Sequence, residues 1–424
     1  MALAAMALAM SAPSFAHGVN RTGESAASQS RLRPTVNNRP PHYDAILAGG
    51  GAAGLSTAFH LCQALPGISL LIVDERARCR VDHSWCYWSR SPSHLDQLAY
   101  RTWDRLAIVG GTHTMVASLA PYRYHMLRTG DYCRFMHATL AGQPGVHFAR
   151  ASIDDIEDGP DKVTVHTDET HYTAAWVFDS RHPTALNLQA SSRHHYLLQH
   201  FVGWEIATDE PVFDPCVPHL FDFRTPQQGA MRFLYVLPYA EDRGLVEYTV
   251  FSDSLLPAGS YATALRAFLE TVLGVQTYRI LRAERGVIPM TDRPFLRRQG
   301  SRVLNIGTRG GRVKPSSGFA FERIQQDAAA IARSLKAHGH PFDLPISPRR
   351  YRTFDAMLLR ILQRRGELGQ AIFLQLFMRN PIQRVFRFLD EEDTPWGNVK
   401  LMLTVPPLPF IRAWLSMVFE GLVQ

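Results

Sequence analysis

Lysine is nearly absent from this 424-residue chain, occurring only as Lys162, Lys314, Lys336 and Lys400. The formal charge of +7 is therefore carried almost wholly by arginine. No Lys/Arg-rich block occurs, so the basic pI of about 9.3 does not point to nucleic acid as a partner. Cysteine is also scarce. Five are present (Cys62, Cys79, Cys86, Cys133, Cys216), an odd number without a CxxC pair. That argues against a disulfide framework and a zinc site, and favours a reducing compartment. His83, His194, His195 and His200 make no metal-ligand spacing, so no metal is expected. No run of about 18 apolar residues is present, which excludes an ordinary membrane-spanning helix. The segment Met1 to Ala16 is small and apolar, and Ser14-Phe15-Ala16 would pass as a signal-peptidase site, but no basic residue precedes it. A low-complexity extension is the preferred reading.

With 46% hydrophobic and 20% charged residues, the chain has ample material for a large core divided between packed domains. Residues 1–40 read as a disordered extension, rich in Ser, Asn, Arg and Pro towards their end. Beyond them, apolar runs alternate with helical patterns, which defines an α/β class. Val163–Val165, Ala175–Asp179 and Val303–Gly307 read as strands. From 341 to 424 the pattern is helical, with Phe354, Leu358, Leu359 and Leu362 on an apolar face and Arg349, Arg350, Arg352, Arg360, Arg364 and Arg365 among them. This region reads first as a helical cap with solvated arginines. The same composition suits an element lying on an anionic membrane surface.

The most specific local pattern starts at Tyr43. Tyr43–Ala48 reads as a buried strand, Gly49-Gly50-Gly51-Ala52-Ala53-Gly54 as a glycine turn, Leu55–Leu65 as a helix, and Ser69–Val73 as a second strand ending in Asp74-Glu75. Strand, GxGxxG, helix, strand and acid in that order form a dinucleotide-binding unit. Gly49 permits the turn, Gly51 admits a pyrophosphate to the helix N-terminus, and Gly54 lets helix and sheet approach. Asp74 stands where a carboxylate binds ribose hydroxyls. This fingerprint alone does not separate FAD from NAD. A second glycine-rich element, Gly307, Gly310 and Gly311 followed by Lys314 and Gly318, again joins a strand to a helix, Phe319–Leu335. Two distant phosphate-type turns favour the longer flavin cofactor. Arg309 and Arg312 hold phosphate or are simply solvated.

With these elements placed, the chain resembles the bacterial lycopene β-cyclase family from about Tyr43 to Leu415. The resemblance rests on His83-Ser84-Trp85-Cys86-Tyr87-Trp88, on Gln199-His200-Phe201-Val202-Gly203-Trp204-Glu205, on Tyr235–Tyr239 followed by Val246-Glu247-Tyr248-Thr249-Val250-Phe251, on a Gly286–Met290 loop, and on Gly307–Phe319. It implies a Rossmann-type FAD-binding fold of the hydroxybenzoate-hydroxylase-like group, with an inserted sheet-containing substrate domain and a C-terminal helical region. The implied segments are 41–85 and 286–340 for the cofactor, 86–185 for the rest of that domain, 186–285 for the substrate and 341–424 for the cap. It further implies a lycopene β-cyclase, converting linear carotenoid ends to β-ionone rings without net redox change. Such an enzyme needs reduced FAD with NAD(P)H as reductant, and works peripherally on the cytoplasmic membrane.

Ring closure of this kind requires proton delivery to an alkene in a dry site. Glu247 is the candidate acid, base, or both, since a carboxyl in an apolar pocket has a raised pKa. Trp85, Trp88, Trp204 and Tyr248 are candidate cation stabilisers, each worth about 0.5–2 kcal/mol. The chain departs from the family pattern where Tyr248 replaces a second acid, and where Thr308 stands in place of the Asp common in related flavoproteins. Adjacent strand residues face opposite sides, so only one of positions 247 and 248 can face a given cavity. Alternatives are a redox flavoenzyme acting on a lipid, such as a monooxygenase or isoprenoid reductase, and a non-catalytic carotenoid-binding relative.

Overall fold

The structure is a computed structural model that describes residues 41–75, 83–111, 113–181 and 194–421. The expected 1–40 extension lies outside these residues. The first sheet holds the dinucleotide unit. Its strands are β1 (His42–Ala48), β2 (Leu70–Asp74), β8 (Val146–Arg150), β9 (Ile153–Asp158), β10 (Val163–Thr167), β11 (His171–Asp179), β17 (Arg298–Gln299) and β18 (Val303–Asn305). Strand β1 lies centrally, parallel to β2 on one side and to β11 on the other. Parallel strands buried on both faces need unbroken apolar sequence, which Ala45-Ile46-Leu47-Ala48 and Leu70–Val73 supply. Helices α1 (Ala52–Ala64), α2 (Thr129–Ala141) and α4 (Phe321–His338) cover one side of this sheet.

A second sheet has the order β16 (Tyr278–Thr291), β12 (Tyr196–Thr208), β15 (Arg243–Ser252), β14 (Met231–Ala240), β13 (His219–Asp222), β5 (Arg105–Gly110) and β6 (His113–Ser118). A small third sheet places β7 (Arg123–Arg128) between β3 (Ser84–Ser89) and β4 (Ala99–Trp103). Residues 286–290, expected as a loop, lie inside β16. Pro289 is tolerated there because β16 is an edge strand with only β12 beside it.

The second sheet is buried on both faces. Val246, Tyr248 and Val250 of β15 pack with Trp204 against helix α3 (Ser260–Thr271). Leu245 and Phe251, from the alternate positions, join a larger core with helices α5 (Arg349–Arg364), α6 (Leu368–Met378) and α7 (Ile382–Leu389). Helices α8 (Pro395–Met402) and α9 (Pro407–Phe419) complete the chain. The C-terminal segment is thus a packed cap, but its arginines are not all solvated. Arg360 is buried, ion-paired with Glu420 and hydrogen-bonded to Ser416 at 2.5 Å. Cys133 is disulfide-bonded, contrary to the expectation from cysteine scarcity, whereas Cys62, Cys86 and Cys216 are free.

Candidate active site

Two features dominate: a groove shared by both glycine elements and a pair of buried carboxyls. The groove is lined by Gly49, Gly51, Ala53, Asp74, Ser180, Gly307 and Thr308. Gly51 caps the N-terminus of α1, and a Cβ built there meets nothing within 4 Å, so its backbone faces open space where an anionic group can approach. Gly307 has φ +60°, and a Cβ would stand 2.7 Å from Ala53, which brings the second element directly onto the first. The Asp74 carboxylate accepts the Gly50 N–H at 2.7 Å and so helps to hold the glycine turn, while still lining the groove. Gly54 packs against the Gly49 carbonyl, as helix and turn contact requires. Arg309 is not solvated: it pairs with buried Asp179 at 3.1 Å.

Gly310, Gly311 and Gly318 do not line the groove. They allow the second loop to pack tightly, against Asn305, Phe295 and Gln199 respectively. Lys314 is 2% exposed and bonded to Asp355 at 2.9 Å and Glu391 at 2.8 Å. Its amine is committed to the cap, so the structure assigns it to joining loop and cap, and not to a phosphate. Gln199 Oε1 and Ser317 Oγ, both at this loop, are buried without a hydrogen-bond partner. These orphan polar atoms, together with open backbone at Gly51, fit the polar edges of an extended dinucleotide such as FAD.

The carboxyl pair arises from strand register. Gly203 on β12 is flanked by Glu247 on β15 and Glu284 on β16. A Cβ at 203 would lie 3.2 Å from Glu247 Cβ and 3.2 Å from Glu284 Cγ. The missing side chain leaves the space across which the two carboxyls face each other. Burial, and then the nearby Glu284 charge, push Glu247 well above the usual carboxyl range. The Thr249 hydroxyl donates to Glu247 Oε1 at 3.2 Å and opposes that shift. Burial also raises Glu284, against the pull of Arg282 at 3.1 Å and of the Ser84 hydroxyl, which donates at 3.0 Å. Glu247 is therefore the protonated member and Glu284 the one provided with positive charge.

Around the pair stand Cys86, Tyr124 and Tyr235, all buried within the core or packed on it. Burial pushes the Tyr124 and Tyr235 hydroxyls far up, so both stay neutral. Farther along β12, Glu205 is ringed by Arg128 at 3.0 Å, Arg243 at 2.5 Å and Arg282 at 3.3 Å. Although burial acts to raise it, hydrogen bonds from Arg243 and Arg282 and the Arg128 charge hold Glu205 below the usual range.

The structure separates some expected residues from this site. Trp204 and Tyr248 sit on the α3 face, opposite Glu247, because positions 203/204 and 247/248 alternate across the sheet. Trp85 likewise points away from the face of Ser84 and Cys86, stacking on Phe321 at 5.1 Å within the cofactor-domain core. Trp88 shares the Cys86 side, stacks on Phe386 at 4.3 Å, and donates its indole N–H to Asp390 at 3.0 Å. Glu284, Arg282 and Ser84 were missed from sequence. The loop reading of 286–290 hid Arg282 and Glu284, and strand periodicity continued back from Pro289 would have placed Glu284 on an inward face.

This arrangement of a parallel dinucleotide sheet with an inserted antiparallel sheet is the fold of FAD-dependent flavoproteins of the hydroxybenzoate-hydroxylase-like group. A flavoprotein/dehydrogenase from Cytophaga hutchinsonii superposes with a TM-score of 0.62 at 12% identity, covering 89% of this chain and 100% of that one. A geranylgeranyl bacteriochlorophyll reductase-like protein from Thermoplasma acidophilum gives 0.57 at 12% identity, over 90% and 99%. In sequence, residues 44–415 match the lycopene cyclase protein family, and the chain belongs to it. A lycopene beta-cyclase from Pseudescherichia vulneris is 25% identical over 401 residues, 88% of this chain and 96% of its own.

Proposed function

We propose that this protein closes the linear ends of lycopene into β-ionone rings by acid–base isomerisation, with no net redox change. The observation that supports this reading best is Glu247, a buried and protonated carboxyl that pairs with no cation among the described residues. A neutral carboxylic acid in a dry aromatic site can protonate an alkene, a task for which water-exposed acids are ill suited. Tyr124 and Tyr235 supply faces that stabilise the resulting cation, each by about 0.5–2 kcal/mol. Exclusion of water by the packed cap protects that cation from capture.

FAD would be held by the backbone at Gly51 and Gly307 and by Asp74 and Ser180 along the groove, with Gln199 and Ser317 offering further polar contacts. In its reduced form, maintained by NAD(P)H, it would supply electron density able to stabilise a cation. Residues Trp396, Leu403, Leu408, Trp414 and Phe419 on α8 and α9 are exposed large apolar side chains. Among the described residues no single helix is long and apolar enough to cross a membrane; these two form a pair bent by 119°. With Lys400 and Arg412 beside them, they suit shallow insertion into the anionic cytoplasmic face of a membrane, where a carotenoid dissolves.

The test uses purified, flavin-loaded protein with lycopene in vesicles, counting NAD(P)H consumed per ring formed. Cyclisation predicts rings with far less than one NAD(P)H each once the flavin is reduced. Stoichiometric consumption, or reduced or oxygenated products, would overturn it.

A further inference from the structure

The cyclisation chemistry needs a proton donor and a proton acceptor close together. In the closed ring, the carbon that gained a proton and the carbon that loses one are both bonded to the carbon that was first cationic. Both transfers therefore occur within the width of one forming ring. Glu247 accounts for the first transfer. On the same sheet face, the side chain nearest to it across the Gly203 gap is a second carboxyl, Glu284.

Resting on the cyclase reading, we propose that Glu284 is a second catalytic residue: it is the base that removes the ring proton after Glu247 has delivered the first, with Arg282 and Ser84 as its positioning residues. The steps balance. Glu247 gives its proton to the terminal alkene carbon, forming a C–H bond and leaving a tertiary cation. The next double bond attacks that cation through one of its carbons, forming the ring C–C bond and leaving a second tertiary cation at its other carbon. Glu284 takes the proton from the newly bonded ring carbon, whose C–H pair becomes the ring double bond to the adjacent cationic carbon. Glu247 is then ionised and Glu284 neutral, and proton transfer between these neighbouring carboxyls restores the starting state. No oxidant or reductant is consumed.

The surroundings support this division of labour. Arg282 contacts Glu284 at 3.1 Å and also donates to Ser84 at 3.0 Å, which in turn donates to Glu284. Arg282 is itself fixed by Glu205 at 3.3 Å. The groups facing the pair from the other elements are Cys86 of β3, Tyr124 of β7, and Tyr235 and Tyr239 of β14, all of them neutral acids pushed upward by burial. Positive charge reaches the pair from Arg282 alone among these neighbours, and it reaches Glu284.

The experiment uses the full-length, flavin-loaded protein and lycopene vesicles, comparing wild type with Glu284→Gln, Glu284→Asp and Arg282→Gln. Glu284→Gln is expected to lower kcat about 100-fold with flavin loading unchanged. Its alkaline limb in the pH–rate profile moves to lower pH, because the Glu284 charge no longer raises Glu247. Glu284→Asp recovers part of the rate. Arg282→Gln moves the acid limb to higher pH, since Glu284 loses the cation that favours its ionised form. Wild-type kcat with unmoved limbs in Glu284→Gln overturns the proposal. Infrared spectroscopy provides a readout without turnover. The protonated-carboxyl band that disappears in Glu247→Gln must shift in Glu284→Gln, and an unshifted band also overturns the pairing. Should wild type fail to cyclise lycopene while the band shifts, the substrate reading falls and the paired carboxyls stand.

Discussion

Glu205 and Glu247 lie on neighbouring strands, face the same side of the same sheet, and are both buried, at 3% and 9% exposure. They are treated in opposite ways. Glu205 is given Arg128, Arg243 and Arg282, and burial is more than offset by hydrogen bonds and charge. Glu247 receives one hydroxyl hydrogen bond and a second acid. The fold is therefore able to neutralise a buried carboxylate in this sheet and does not do so at Glu247. An uncompensated buried acid costs stability, and such groups concentrate where a perturbed pKa is used. Glu205 organises the arginines; Glu247 holds a proton.

This contrast can be broken at several points. The largest effect on stability is expected from Glu205→Gln, which leaves clustered arginines without their carboxylate. We expect a loss of about 3 kcal/mol in denaturant unfolding. A loss below about 0.5 kcal/mol would remove the distinction. Gly203→Ala places a methyl group between Glu247 and Glu284 and should lower turnover about tenfold, equivalent to about 1.4 kcal/mol. Its melting temperature should change far less than that of Glu205→Gln.

Next is Glu247→Gln, which should make the protein more stable at pH 8, by about 1 kcal/mol. The sign follows from linkage. Glu247 has a folded pKa raised above its unfolded value of about 4.5, so its favourable contribution is complete below that value. The contribution is lost as pH rises through the folded pKa, and a neutral amide avoids that loss. The melting-temperature gap between variant and wild type should therefore close in acid. A gap independent of pH would show that Glu247 is not the raised group. The smallest effect is expected from Tyr248→Phe and Trp204→Phe. Both lie on the α3 face, and turnover should stay within about threefold of wild type; a loss comparable to Gly203→Ala would place them in the site.

The difference between local and register-dependent features also explains what was legible in sequence. The first glycine turn was readable because every element of it, from Tyr43 to Asp74, is contiguous, and its strands and helix formed within a few residues of expectation. Glu247 was readable only through resemblance, since an acid in an alternating strand usually faces solvent. Glu284 was not readable. Its role depends on β16 pairing with β12 so that Glu284 falls opposite Gly203, a fact no local pattern contains. Arginine and proline in β16 further masked its strand character. Tyr248 and Trp204 were placeable on the far face by alternation alone, but their aromatic chemistry suggested the site. Lys314 followed a glycine-rich turn as phosphate-binding lysines do, and only the packing of the cap revealed Asp355 and Glu391 beside it.

The account stands most directly on what the Glu247 carboxyl does. Wild type and Glu247→Gln should be expressed in a bacterium that accumulates lycopene, with flavin loading matched and the pigments separated by chromatography. The account predicts ringed carotenes from the wild type and unchanged lycopene from Glu247→Gln. Ring formation by Glu247→Gln, or unchanged lycopene with well-folded, flavin-loaded wild type, would contradict it.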